Sequence, residues 1–253
     1  MKSSKFITLL LFIFSSSFLK ADEPVPAFDS ANSAYAAGKY EQAVKLYEQV
    51  LAANKESAAL YFNLGNAYFK TNNISGAILN YERAKKLDPG NEDIETNLKI
   101  ANQKTEDKIE AAPQLFLSQW ENSITGLMNE RQWSLLLILL TVVSLLFFSI
   151  YVLSKGKGLK QFGFFGGSVL MLLSVFTFFM ARSKYNSSIN SDSAIITSAA
   201  VTVTGSPSEK GTKLFMLHEG TKVKMTQEEN EWTEIKIANG NVGWIRSASL
   251  VKI

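Results

Sequence analysis

Two uncharged apolar runs, 133–153 and 162–181, constrain this chain more than any other feature. At 1.5 Å per residue the first is about 31 Å long, matching a bilayer core, and the second is nearly as long. Uncharged runs of this length are rare inside soluble proteins, so both are expected to be transmembrane helices. Trp133 and Tyr151 sit near the ends of the first run, where amphipathic rings favour the membrane interface. The segment between the runs, 154–161, carries Lys155, Lys157 and Lys160 and no acid, which predicts a cytoplasmic loop. Gly163 and Gly167 stand four residues apart in the second run, a spacing that lets helix backbones approach closely. Their partner is either the chain's own first membrane helix or a helix of another membrane protein.

A shorter apolar run, 6–18, follows Lys2 and Lys5 and ends in serines, Lys20 and Ala21. That is the layout of a secretory signal peptide, 1–21, with an uncleaved anchor as the alternative. Export and the lysine loop agree on one topology, a two-pass membrane protein with its N- and C-terminal domains on the exported side. The charge distribution fits. Residues 22–112 hold fourteen acids and ten bases, 191–253 hold seven of each, and the remaining segments, mostly membrane borders, carry a net +7. Nucleic-acid binding would need a basic stripe on a folded face and is not expected. The chain has no cysteine, which excludes disulfides, thiolate metal sites and thiol catalysis. Its one histidine, His218, excludes a histidine-cluster metal site and comes with no nucleophile motif. No cofactor, no metal and no catalytic residue are expected.

Between the first run and the membrane helices the sequence repeats every 34 residues. Asn32, Ala43, Tyr47 and Glu48 recur as Asn66, Ala77, Tyr81 and Glu82. A 34-residue period indicates stacked helix–turn–helix units. Asn63-Leu64-Gly65-Asn66-Ala67-Tyr68, then Ala77, Tyr81, Ala84 and Asp88-Pro89, resemble the tetratricopeptide (TPR) pattern. Repeats are expected at 24–57 and 58–91 within a domain at 24–112. Leu98 and Asn97 lie 34 residues after Leu64 and Asn63, so a third unit starts. It has no second helix before Pro113, and its single helix, 92–105, is expected to act as a polar-faced cap. The TPR resemblance implies a peptide-binding groove with Phe28, Asn32 and Tyr35 from the first repeat, and Phe62, Asn66, Phe69 and Lys70 from the second. The asparagines would bond a peptide backbone, or else merely cap and solubilise the helix face. Phe28, Asp93 and Asn97 stand where carboxylate-gripping relatives carry bases, so terminal-carboxylate recognition is not expected.

The connector 113–132 carries Phe116, Trp120, Ile124, Leu127 and Met128 at helical spacing. It reads as an amphipathic helix lying on the membrane or packed back on the repeats. From residue 193 the pattern alternates with period two, and Gly205-Ser206-Pro207, Glu219-Gly220 and Asn239-Gly240 mark turns. Val201-Thr202-Val203, Leu217-His218-Glu219-Gly220-Thr221, Trp232 and Gly243-Trp244-Ile245 resemble the bacterial SH3-like domain, over 193–253. Trp232 and Trp244 are expected to pack rather than to stack on a ligand.

The fold class that emerges is a multidomain membrane protein: an all-α TPR solenoid, two transmembrane helices and a C-terminal all-β SH3-like barrel. That order, together with Asn91-Glu92-Asp93 and the stretch from Lys104 to Glu110, resembles the Bat-type (BatE-like) aerotolerance family. The resemblance implies a non-enzymatic scaffold of the bacterial inner membrane, with its TPR and SH3-like modules in the periplasm, in a stress-associated membrane complex. It implies partners among membrane proteins bearing von Willebrand factor A domains and a MoxR-type AAA ATPase. The alternative is a cell-envelope protein whose SH3-like domain binds peptidoglycan while the TPR recruits an enzyme.

Overall fold

The computed structural model describes residues 26–53, 55–110, 112, 116–189 and 192–253. The expected signal peptide lies outside them. Five antiparallel helices open the described chain: α1 (Pro26–Ala36), α2 (Tyr40–Ala52), α3 (Ala58–Lys70), α4 (Ile74–Leu87) and α5 (Glu92–Gln103). Side chains that satisfy free N–H groups mark three of the helix starts. Ser57 accepts from Leu60 N, Asn73 from Gly76 N, and Asn91 from Asp93 N and Ile94 N. Ala43 and Ala77 are fully buried between the helices, and Tyr47 and Tyr81 are buried with them. Gly65 is required where it stands, since a Cβ there would lie 2.7 Å from the Tyr81 ring.

Seven strands form the C-terminal domain: β1 (Ser193–Ile196), β2 (Ala200–Thr204), β3 (Lys213–His218), β4 (Lys222–Glu229), β5 (Trp232–Lys236), β6 (Val242–Arg246) and β7 (Leu250–Lys252). They make one antiparallel sheet in the order β3-β2-β6-β5-β4-β1-β7. Ala194, Ile196, Val203, Leu217, Val223, Met225, Ile235, Ile237 and Ile245 meet in one cluster, so the sheet curls around a single core. The β5–β6 turn uses Gly240 at φ +97°, a conformation that favours glycine.

This sheet closes the helical stack. Strand β1 is apolar on both faces. Ala194 and Ile196 point into the sheet's own core, while fully buried Ile195 joins Ala77, Ile78, Leu98 and Ala101 of the helices. The third unit has no second helix, and β1 covers the surface that one would have covered. The cap therefore differs from the one expected: α5 buries Ile94, Leu98 and Ala101, and a separate domain continues the burial beyond it. Polar contacts ring the junction. Ser75 Oγ donates to Glu219 Oε2 at 2.8 Å, Lys222 Nζ pairs with Glu82 at 2.7 Å, and Arg83 Nη2 donates to Lys252 O at 2.8 Å. The segment after α5 lies along the sheet, with Ile109 against its core and Ala112 N donating to Ala238 O.

The connector is not one helix. Helix α6 (Phe116–Thr125) ends in a turn, and α7 (Glu130–Leu153) starts at a capping box between Asn129 and Gln132. Asn129 Nδ2 also donates to Leu87 O, which ties the turn to the repeat stack. Helix α8 (Lys157–Ile189) follows after only Ser154–Gly156, so Lys157 and Lys160 belong to its first turns rather than to a loop. Helix α6 packs on the far end of α8, where Ser183 Oγ donates to Glu121 Oε1 at 2.5 Å. Helices α7 and α8 are both long and apolar enough to cross a membrane. As an antiparallel hairpin they return the chain to the side it left.

The role of Ile195 can be tested directly. Ile195→Asp places an unpaired carboxylate in the junction and leaves the sheet's core residues untouched. Limited proteolysis and small-angle scattering are expected to show the two domains separated, each still folded. A variant as compact as the parent would show that Ile195 does not hold them together.

Candidate functional site

The first helix of each unit carries asparagines, and they form a ladder across the stack. Asn32 Oδ1 accepts from Tyr47 Oη at 2.7 Å and from Asn63 Nδ2 at 3.0 Å. One repeat later Asn66 Oδ1 accepts from Tyr81 Oη at 2.7 Å and from Asn97 Nδ2 at 2.9 Å. Burial, reinforced by nearby Tyr35, pushes the Tyr47 hydroxyl up to about 12, and the same causes raise Tyr81 further. Both phenols therefore stay protonated and donate. Each asparagine oxygen joins the two helices of its own unit to the first helix of the next. The oxygens thus have a structural role that sequence did not offer for them, while the Nδ2 groups of Asn32 and Asn66 have no partner among the described residues.

Asn32, Tyr35, Tyr47, Asn63 and Asn66 line a recess of about 130 Å³. Phe28 and Phe62 each pack against the tyrosine of their own unit, at 5.9 Å between ring centroids from Tyr47 and Tyr81 respectively. Tyr35 meets Tyr40 edge-on at 5.2 Å, and Lys104 Nζ lies 5.3 Å from the centre of the Phe69 ring. Lys70 is exposed. The seven candidates thus divide by exposure and bonding. Asn32 and Asn66 bond within the stack, Phe28, Tyr35, Phe62 and Phe69 are half-buried against it, and Lys70 alone of the seven is exposed. Asn63, Asn97, Tyr47 and Tyr81 complete the ladder, and only their 34-residue recurrence marked them in sequence.

Gly163 and Gly167 lie against α7. A Cβ on Gly163 would come within 2.6 Å of Tyr151 N, and one on Gly167 within 3.2 Å of the Phe148 ring. Ser144 Oγ donates to Gly167 O at 2.9 Å, and the hydroxyls of Thr141 and Ser174 meet at 2.7 Å. Of the two partners open to these glycines, the structure pairs them with the chain's own helix.

His218 faces two carboxylates of the segment after α5. Its Nδ1 lies 2.9 Å from Asp107 Oδ1, and its Nε2 lies 3.4 Å from Glu106 Oε1. Asp107 Oδ2 accepts from His218 N at 2.7 Å and from Thr221 Oγ1 at 2.6 Å. The bond to Asp107 raises the imidazole pKa. Burial alone would raise the Asp107 carboxyl, but its hydrogen bonds from His218 and Thr221 outweigh burial and lower it. A Cβ on Gly220, at φ +84°, would lie 2.8 Å from Thr105 Cγ2, so this turn approaches the segment closely. The arrangement is a clasp between domains, and among the described residues the ring's partners are the carboxylates of Asp107 and Glu106. On the sheet, Trp244 is buried, and Trp232 carries the Arg246 guanidinium 5.4 Å from its ring centre. Among the described residues no group of three or more acidic or imidazole side chains could hold a metal ion.

A tetratricopeptide repeat family model matches residues 28–92, and a bacterial SH3 domain model matches residues 201–251. Over 78 residues, 31% of this chain, the sequence is 36% identical to human tetratricopeptide repeat protein 17 (Homo sapiens). It is 33% identical to the protein of the same name from Rattus norvegicus. The chain spans 7% and 6% of those two proteins, so the likeness concerns a repeat segment only. The helical stack is thus a TPR region and the sheet a bacterial SH3 domain, two module types that typically bind rather than catalyse.

Two outcomes follow from this geometry. Asn66→Ala removes the acceptor of two hydrogen bonds and is expected to cost about 1–3 kcal/mol in chemical unfolding. Lys70→Ala, on the surface, is expected to stay within about 0.5 kcal/mol. The clasp has a sign in pH. Stabilisation from His218, whose folded pKa is raised, is complete below its ordinary value of 6.5 and is lost as pH climbs through the raised one. Stabilisation from Asp107, whose folded pKa is lowered, is complete above 3.8 and is lost as pH falls through the lowered one. Thermal stability is expected to fall as pH rises above 6.5 and through the raised pKa of His218, and His218→Gln is expected to flatten that limb.

Proposed function

We propose that this protein is a non-enzymatic membrane scaffold: the α7–α8 hairpin anchors it, and the TPR groove holds an extended segment of a partner protein. The asparagine ladder is the observation that carries the reading. It fixes the spacing of the repeats while leaving the Nδ2 donors of Asn32 and Asn66 without partners beside a recess edged by Tyr35. Donors at a regular spacing suit the carbonyls of an extended backbone, and aromatic neighbours suit its side chains. The SH3 domain docks through α4 and the end of α5, and so leaves the recess between α1, α2 and α3 uncovered.

Large apolar side chains exposed all along the hairpin, among them Leu139, Leu145, Leu172 and Phe179, support the anchor. Lys155, Lys157 and Lys160 at the hairpin's tip support a cytoplasmic tip, with both domains across the inner membrane in the periplasm. Partners among von Willebrand factor A-domain membrane proteins, with a MoxR-type ATPase and a role in aerotolerance, rest on the family resemblance alone. The second reading, peptidoglycan binding, draws on the bacterial SH3 match and on the exposed Leu214 and Met216 of edge strand β3.

Site-specific photocrosslinking in intact cells separates the two. A crosslinker at Tyr35 or Lys70 is expected to capture a membrane protein, and one at Met216 to capture none. Wall fragments captured from Met216, with nothing captured from the groove, would replace the scaffold reading with the envelope-binding one.

A further inference from the structure

A cavity lies where the three parts of the molecule meet, and neither the repeats nor the SH3 match assigns it a role. It measures about 840 Å³ and is walled by the end of α4, the first turn of α7, the end of α8 and the sheet at Ser193 and Lys222. Five cations line it, Lys85, Lys86, Arg131, Lys184 and Lys222, against two acids, Glu82 and Glu130. Lys222 pairs with Glu82 at 2.7 Å, Lys85 lies 3.7 Å from Glu95, and Lys184 feels the charge of Glu130. Lys86 reaches Ile253 O at 3.4 Å. The Arg131 side chain has no partner among the described residues. The wall thus carries more positive than negative side chains, and it also includes the apolar Leu87 and Pro89.

Position gives the cavity its meaning. Ser134 is part of its wall, and the next residue, Leu135, opens the apolar surface of α7 with its side chain 46% exposed. If the hairpin spans a bilayer, the cavity stands at headgroup level, one helical turn or less above the hydrocarbon. A phosphate with a short polar and apolar body matches its size and mixed wall. Arginine and lysine near an anionic leaflet attract such groups.

We propose that this cavity binds the phosphate-bearing headgroup of an anionic phospholipid from the bilayer that the hairpin crosses. The proposal rests on the membrane-anchor reading given above. A headgroup held there touches the TPR end of α4, both hairpin helices and the SH3 domain, and so sets how the two soluble modules stand on the membrane.

The test uses the full chain in phosphatidylcholine vesicles and nanodiscs, with or without phosphatidylglycerol. Alkaline carbonate extraction comes first. Extraction of the chain would overturn the anchor and the headgroup site together. In a chain that resists extraction, phosphatidylglycerol is expected to raise the unfolding temperature by several degrees and to remain bound in native mass spectrometry. Arg131→Gln, which removes a side chain with no partner among the described residues, is expected to lose much of that shift and leave the unfolding temperature in pure phosphatidylcholine unchanged. Lys155→Gln with Lys160→Gln, at the other end of the hairpin, is expected to keep it. Equal unfolding temperatures in the two lipids, or loss of the shift in the hairpin-tip variant instead, would overturn the site while the anchor stands. An equal shift from inorganic phosphate in phosphatidylcholine would also overturn it, because a soluble anion would then be the ligand.

Discussion

One apolar side chain at the end of the repeat stack governs how this protein is assembled. A helical solenoid exposes an apolar face wherever it stops, and the third unit here stops after a single helix. Ile195 covers that face. It can do so because a strand points successive residues to opposite sides, so β1 supplies its own sheet with Ala194 and Ile196 and the helices with Ile195. The junction consequently joins residues far apart in the chain. Polar contacts such as Asp107 with His218, 111 residues away, then fix the register of a contact that apolar burial holds.

The asparagine ladder places a bonded oxygen and unpartnered donors on the same side chains. A carboxamide has an oxygen that accepts two bonds and an NH2 group that donates two. In Asn32 and Asn66 the oxygen is used up within the stack, and the donors are not. A carboxylate could accept the same bonds but offer no donor to a peptide carbonyl. The rigidity of the groove and the binding proposed for it therefore draw on different atoms of the same side chain. Phe28 and Phe62 differ from these asparagines in being committed to their tyrosines as packing partners.

The hairpin follows a different logic. Its helices meet through glycine and hydroxyl groups, Gly163 and Gly167 against α7 and Ser144 on the Gly167 carbonyl, while its bulky side chains face outward. Contact through small residues is how helices associate where no hydrophobic difference drives them together. The Asn129 side chain caps α7 and bonds Leu87 O, so the same residue that starts the helix also joins it to the repeats.

Much of the architecture was legible in the residues. The 34-residue recurrence of Asn32, Ala43 and Tyr47 identified the TPR units, and the alternation before and after Asn239-Gly240 identified the SH3-like strands. The break of the connector into α6 and α7 was less visible, because Asn129 reads as a cap only once the turn before it is known. The two apolar runs marked the hairpin but not its three-residue turn, since a helix continues through lysines as easily as through leucines. The run Ala194-Ile195-Ile196 was a local sign of a strand buried on both faces, and it named no partner. Local patterning thus determined which elements form, because backbone geometry imposes its period on the chain. Tertiary structure alone decided that the SH3 sheet completes the TPR stack, that asparagine oxygens are spent inside it, and that a basic cavity opens beside the hairpin. Each of these depends on side chains brought together from distant segments, and sequence spacing carries no record of that distance.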